Sequence, residues 1–363
     1  MHESVLVANR GEAASRIIRT LRALGVKAIA VYSEADAGLP FVAEADEAIL
    51  IGPARATSSY LDIPRIMEAA HRTNARAVHP GSGFLAESAG FAREVLDAGL
   101  AWIGPSPEVI ERMGAIEQVG GKPGARQVEV QILGLADGTV LALGERDCSV
   151  QRRHQKIVEE TPSPGITPAL RARMMDAAVR AGEAVGYRGA GTVECLVDPA
   201  AQDFSCLGLR TGLPAAHAIT ELGTGIDLVE QQLRIAAGEP PSFSEVAAHG
   251  HAIGLRVYAG DPASLQPSTG EIKIWEEPVG EGIRIDAGYA EGNTVTSCYD
   301  PMLATLCVRA DDRPAALERA RAAVAAFRIE GVHTSLPFLA ALLDHPEFAD
   351  GAYDTGIVDR VRA

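Results

Sequence analysis

The strongest constraint on what this chain can fold into is the strand-helix alternation of its first third. Ser4-Val5-Leu6-Val7-Ala8 is a short strand-like run, and the segment after it places Ile17, Ile18, Leu21 and Leu24 on one helical face. Strand patterns follow at Ala28 to Tyr32, Ala48 to Ile51, Ala75 to Val78 and Ala101 to Ile103, with helical patterns near Ile63 to Thr73 and Phe84 to Ala98 between them. A helix between successive strands returns the chain to the end it started from, so neighbouring strands run parallel. The spacing predicts an α/β domain built on a parallel, doubly wound sheet over residues 1–116.

Beyond residue 125 the texture changes to longer alternating strands. These are expected at Val128 to Leu133, Val140 to Gly144, Thr192 to Val197, Ala252 to Tyr258, Ile283 to Asp286 and Leu303 to Val308. Helices are expected near Pro168 to Val185, Gly225 to Ala237 and Arg313 to Phe327, which makes this part α+β. Between the two parts, Gln118-Val119-Gly120-Gly121-Lys122-Pro123-Gly124 breaks regular structure and reads as a linker over residues 117–125.

Charge narrows the function. The 363 residues carry 48 acidic and 33 basic side chains, a formal charge of −15 that repels phosphate backbones and argues against nucleic-acid binding. No apolar run reaches bilayer length and the N-terminus leads straight into a strand, so neither a membrane span nor a signal peptide is expected and the cytoplasm is the expected compartment. Cys148, Cys195, Cys206, Cys298 and Cys307 are odd in number and lack CxxC spacing, which predicts reduced core thiols.

Three stretches together carry a resemblance: Ala8-Asn9-Arg10-Gly11-Glu12 with Arg16, His79-Pro80-Gly81-Ser82-Gly83-Phe84-Leu85-Ala86-Glu87, and the run from Glu145 to Glu160. Gly189 to Glu194, Gly225 to Glu230 and Tyr299-Asp300-Pro301-Met302-Leu303 continue it. They resemble the biotin carboxylases, over nearly the whole chain and in order. The resemblance implies a Rossmann-like N-terminal domain over 1–116, an ATP-grasp remnant over 126–240 and a biotin-carboxylase C-terminal domain over 241–363. It also implies ATP, magnesium and biotin as family ligands, bicarbonate activation followed by biotin carboxylation as the family chemistry, and a dimer or an assembly with biotin carboxylase, biotin carrier or carboxyltransferase subunits.

Set against the family pattern, the chemistry is incomplete. The family runs through a Met-Gly-Asp-Lys turn into a glycine-rich lid over ATP; here the turn reads Met113-Gly114-Ala115-Ile116, and the C-terminal part has begun by Arg126. The lid is expected to be absent, and Lys122 does not meet phosphate-loop spacing. The family strand Glu-Met-Asn-Thr-Arg-(Leu/Ile)-Gln-Val-Glu reads here Gly208-Leu209-Arg210-Thr211-Gly212-Leu213-Pro214-Ala215-Ala216. Gly208 therefore replaces the metal glutamate, Arg210 the metal-side asparagine, Gly212 the catalytic arginine and Ala216 the proton-abstracting glutamate. Glu194 is left as the one metal carboxylate, with Arg210 expected beside it as an internal cation. Magnesium between phosphates needs more carboxylate than that, so no bound cofactor is expected.

Gln151, His154, Lys156 and Arg256 match the nucleotide, bicarbonate and transfer side of the family site. They admit a small-anion site; the competing expectation is that Glu159, Glu160 and their neighbours neutralise this basic strand as a solvated surface network. His79 and His217 lack a second ligand or a nucleophile, and Ser82 lacks the flanking glycines of a nucleophile elbow. Removing one catalytic donor costs roughly a hundred- to a thousandfold in rate. The expectation is a non-catalytic structural or regulatory component of a biotin-dependent acyl-CoA carboxylase system; an active ATP-dependent biotin carboxylase and an anion- or nucleotide-binding regulatory module are the alternatives.

Overall fold

The computed structural model of the protein describes residues 1–113, 124–152, 155–261 and 266–362. The first part contains β1 (Ser4–Val7), β2 (Lys27–Ser33), β3 (Glu47–Gly52), β4 (Ala77–His79) and β5 (Ala101–Trp102), all parallel in the order β3-β2-β1-β4-β5. Its helices are α1 (Gly11–Ala23), α2 (Pro40–Glu44), α3 (Ile63–Arg72), α4 (Ala89–Asp97) and α5 (Pro107–Met113). Along β1, Val5 and Val7 join α1 residues Ile17, Ile18 and Leu21 in one core, while Leu6 packs with Ile66 and Phe91 in another. A strand covered on both faces reads as a continuous apolar run, which is why Ser4 to Ala8 shows no polar alternation.

Helix α4 begins at Ala89 rather than near Phe84. The Ser88 hydroxyl caps it by accepting from Phe91 N at 3.2 Å, and Phe84 holds the left-handed conformation, with φ of 45°.

The second part is built on one eight-stranded antiparallel sheet. Its strands are β6 (Arg126–Gly134), β7 (Val140–Arg152), β8 (Gln155–Thr161), β9 (Gly189–Asp198), β10 (Asp203–Arg210) and β11 (His251–Tyr258), followed after the short β12 (Gly270–Glu271) and β13 (Ile274–Glu276) by β14 (Ile283–Ala287) and, after β15 (Thr294–Val295), β16 (Met302–Ala310). The order is β10-β9-β6-β7-β8-β11-β16-β14, so segments on both sides of residue 240 share one hydrogen-bonded layer. Helix α6 (Pro168–Glu183) covers β6 and β9 through Leu170, Met174 and Ala178. Next come α7 (His217–Thr224), α8 (Leu228–Ala236) and α9 (Arg313–Ala326), the last packing under β11 and β16.

Three further expectations are corrected. Gly225 ends a helix rather than starting one: at φ of 73° it caps α7, and Asp227 then caps α8 by accepting from Glu230 N. The strand from Val140 runs on to Arg152, and Gln155–Thr161 is a strand of its own. Buried charges at Asp147, Glu159 and Glu160 hide both from a hydrophobic pattern. Finally, Cys148, Cys195 and Cys307 are buried, but Cys206 and Cys298 are exposed, one on an edge strand and the other in the loop before β16; all five are free thiols. Of the expected linker, Gln118 to Pro123, with Lys122, lies outside the described residues, as does His154. Among the described residues no helix is long and apolar enough to cross a membrane.

Candidate functional site

The strand order of the first sheet reverses between β1 and β4, and such a reversal opens a crevice beyond the carboxyl ends of the two strands. Asn9, just after β1, donates from Nδ2 to the Pro80 carbonyl at 2.7 Å and the Ser82 carbonyl at 2.8 Å, tying the two strand ends together. Gly81 is required there: its φ is 69°, and a Cβ would stand 2.6 Å from Asn9 Nδ2. The crevice faces the large sheet across a cleft of about 350 Å³. Glu12, Ser82 and Glu87 line one side, and Glu129, Lys156, Glu194, Arg210 and Arg256 the other.

Register brings the sheet residues together. Glu129 on β6 lies opposite Glu194 on β9, which on its other side faces Gly208 on β10. Glu129 is fully buried, hydrogen-bonded by the Lys156 ammonium and, at 3.3 Å, by Arg146 Nη2. Arg146 is itself buried, reaching Gln131 at 2.6 Å, Thr220 at 3.0 Å and Thr192 at 3.2 Å. Burial alone would raise the Glu129 carboxyl, but Lys156 and Arg146 outweigh it and hold it down to about 2. The reciprocal effect raises Lys156 against its own burial.

Arg256 is occupied in the same way. Its guanidinium pairs with Glu159, 1 % exposed, and is stabilised in its charged form despite burial. Glu160, equally buried, accepts from His251 at 2.6 Å, Arg313 at 2.7 Å and Tyr353 at 2.5 Å. The expected neutralisation of the basic strand is therefore present, but inside the sheet rather than on a solvated surface.

Glu194 is raised above its ordinary range by burial and by the neighbouring charge of Glu129, against the opposing pull of Lys156 and Arg210. Arg210 Nε donates to Glu194 Oε1 at 3.2 Å, and its Nη1 stands 3.8 Å from Glu87. Across the cleft, burial pushes Glu12 up to about 7, with Arg10 and Arg256 opposing and Asp300 adding to the rise. Glu12, Glu87, Glu129, Glu194 and Asp300 thus face Lys156, Arg210 and Arg256 across the cleft.

The remaining expected residues are scattered. Gln151 on β7 donates to the Gln127 side chain, away from the cleft lining. Gly212 lines the cleft, and a Cβ there would have only ordinary contacts, the nearest at 3.7 Å to Ala86, so nothing in the backbone forbids a longer side chain. Ala216 is 2 % exposed at the start of α7 and does not line the cleft. His79 and His217 are buried. His79 Nδ1 accepts from Gly81 N at 3.0 Å and its Nε2 meets Gln232 at 3.2 Å, while burial lowers it to about 4 and keeps it neutral. Sequence reasoning missed Glu12, Glu129 and Asp300. The signal for Glu129 is a single acid inside the apolar run Val128-Glu129-Val130, which demands a buried cation.

A divalent cation between phosphates needs several oxygen ligands. Here one carboxylate, Glu194, is engaged by a guanidinium, and its cross-strand neighbour is a glycine without a side chain. Among the described residues no group of three or more His, Cys, Asp or Glu side chains converges as a metal site. The residues present do not fit magnesium.

Three family models match in sequence order: biotin carboxylase N-terminal domain over residues 1–110, carbamoyl-phosphate synthase L chain ATP-binding domain over 122–242, and biotin carboxylase C-terminal domain over 254–360. The chain is 40% identical to a biotin carboxylase of Halalkalibacterium halodurans, covering 99% of this chain and 97% of that protein. That alignment runs over 441 positions against the 363 residues here, so the relative carries sequence that this chain lacks. The lid is the missing region: β6 begins at Arg126, soon after α5 ends at Met113. It is 38% identical to the mitochondrial methylcrotonoyl-CoA carboxylase subunit alpha of Oryza sativa, covering 99% of this chain and 60% of that one. Among solved structures, the biotin carboxylase of Campylobacter jejuni in an ATP-type complex superposes with a TM-score of 0.94 at 32% identity, covering 99% of each chain.

Proposed function

This chain belongs to the biotin carboxylase family, and from that membership we propose that it is a non-catalytic member serving a biotin-dependent acyl-CoA carboxylase system as a structural or regulatory component. One observation carries the reading: Arg210 holds the Glu194 carboxylate while Gly208 stands opposite it. A cation fixed where a metal would be held neutralises the remaining ligand and repels a second positive charge. The absence of the lid points the same way, since phosphoryl transfer depends on positioned cations and on exclusion of water. The intact fold supports a docking role, which needs surface and stability but no metal.

The proposed partners are a second copy of this chain, or biotin carboxylase, biotin carrier or carboxyltransferase subunits. A relative named as a carboxylase subunit supports that class. Bicarbonate-dependent phosphate release from ATP, measured with and without free biotin, is the direct test. No release above the background without enzyme is expected. Turnover that requires bicarbonate would overturn the proposal.

A further inference from the structure

Cys195 on β9 and Cys206 on β10 are directly opposed in the antiparallel register, with their sulfurs 3.4 Å apart. They lie on the face turned away from the cleft. Cys195 shares the apolar cluster under α6 with Val193 and Val197, whereas the neighbouring Glu194 faces the cleft. The two thiols differ in environment. Cys195 is fully buried, while Cys206 is exposed because β10 is the last strand of its sheet. A register irregularity between Cys206 and Gly208 interrupts the pairing beside the second thiol.

We propose that Cys206 and Cys195 form an oxidisable dithiol, Cys206 reacting with a peroxide and Cys195 resolving the product into an intrachain disulfide. The Cys206 thiolate attacks one peroxide oxygen, the O–O bond breaks, and with one proton taken up a water leaves, giving the sulfenic acid. The Cys195 sulfur then displaces the sulfenic oxygen as a second water, so two thiols and one hydrogen peroxide become one disulfide and two waters. Peroxide is the two-electron oxidant, and the two sulfurs are oxidised.

The geometry suits each step. Attack needs an accessible thiolate, and Cys206 is exposed with the Cys195 sulfur 3.4 Å from its own; that contact brings the Cys206 thiol down to about 7. Resolution needs a second sulfur within reach, and opposed residues of neighbouring strands have the Cα separation that a disulfide spans. The buried sulfur of Cys195 is shielded from reagent but not from its neighbour. Cys298, exposed and without a cysteine partner, is the internal control.

The test treats the full-length protein with hydrogen peroxide at neutral pH, followed by peptide mapping with a sulfenic-acid trap. A peptide pair joining Cys195 to Cys206, lighter by two hydrogens and separated again by dithiothreitol, is expected. In the same sample the trap should label Cys298, which has no second sulfur beside it, and leave Cys206 unlabelled because Cys195 resolves its sulfenic acid. In Cys195→Ala, which keeps the apolar surroundings, the trap should accumulate on Cys206. Trap accumulating on Cys206 in the unmodified protein, or a Cys206 cross-link between two chains, would each overturn the proposal, and neither reading needs the variant to fold.

Discussion

Arg210 Nε donates to Glu194 Oε1 at 3.2 Å, so the carboxylate that would face a metal is held by the protein's own guanidinium. The two residues are not directly opposed. Arg210 pairs in register with Thr192, and Glu194 with the side-chain-free Gly208, which leaves room for the guanidinium to reach across diagonally.

Arg210→Ala removes one of the charges that lower Glu194, so the Glu194 carboxyl should rise further. A carboxyl whose folded value exceeds its unfolded one favours the folded state while protonated, and this contribution is lost as pH rises from about the ordinary 4.5 through the folded value. In the variant that loss should extend to higher pH. Because the Arg210 side chain is a third exposed, the cost at neutral pH should stay within about 1 kcal/mol. Carboxyl NMR titration of Glu194, with urea unfolding at several pH values, measures both.

Glu129→Gln should destabilise by roughly 3–5 kcal/mol, because it leaves Arg146 and Lys156 buried without their anion. Lys156→Met should cost less, since Arg146 still satisfies the carboxylate. In the unmodified protein the depressed Glu129 contributes stability that is complete above the ordinary 4.5 and is lost as pH falls toward about 2. Urea midpoints of the two variants give the ordering, and equal losses would contradict the assignment of Arg146 as the second partner.

His79 produces a separate window. Its folded value of about 4 lies below the ordinary 6.5, so the folded state must give up stability as pH falls from about 6.5 to 4, by roughly 3 kcal/mol. His79→Gln should flatten that part of the stability curve, leaving the slope of His217, which burial also lowers, and the opposite slopes of Glu12 and Glu194, which burial raises. A curve unchanged in slope between pH 6.5 and 4 would remove His79 from the account.

Metal chelation should leave the protein untouched. A ligand bound to the folded state stabilises it by about 2.7 kcal/mol at a hundred times its dissociation constant. With Glu194 engaged by Arg210, magnesium with or without ADP, and EDTA at matched ionic strength, should all give the same melting temperature. A magnesium-dependent rise, measured by scanning calorimetry, would show that the cleft holds the ion after all.

The parallel sheet was legible from residues 1–116, because covered strands and their helices leave strong periodic patterns. Strands β8 and β10 were not. Lys156, Glu159 and Glu160 give β8 the composition of a surface loop, and β10, largely exposed at an edge, breaks its alternation at the irregularity between Cys206 and Gly208. Likewise Gly208, Arg210 and Gly212 were visible as departures from the family pattern, whereas the lone acid Glu129 marked burial but not its place in the cleft, and Glu12 carried no local pattern at all.

The sequence by itself determined the family resemblance, the strand-helix order of the first sheet, the missing lid and the departures from the family pattern near Gly208. Arg210 beside Glu194 was expected from the replacement itself; only the tertiary structure decided that the other surviving cations are already spent on internal partners, Lys156 on Glu129 and Arg256 on Glu159. Sequence specifies which groups exist, but ion pairing is set by sheet order and register. Those depend on contacts between residues far apart in the chain, so one cross-strand neighbour separates an available charge from a neutralised one.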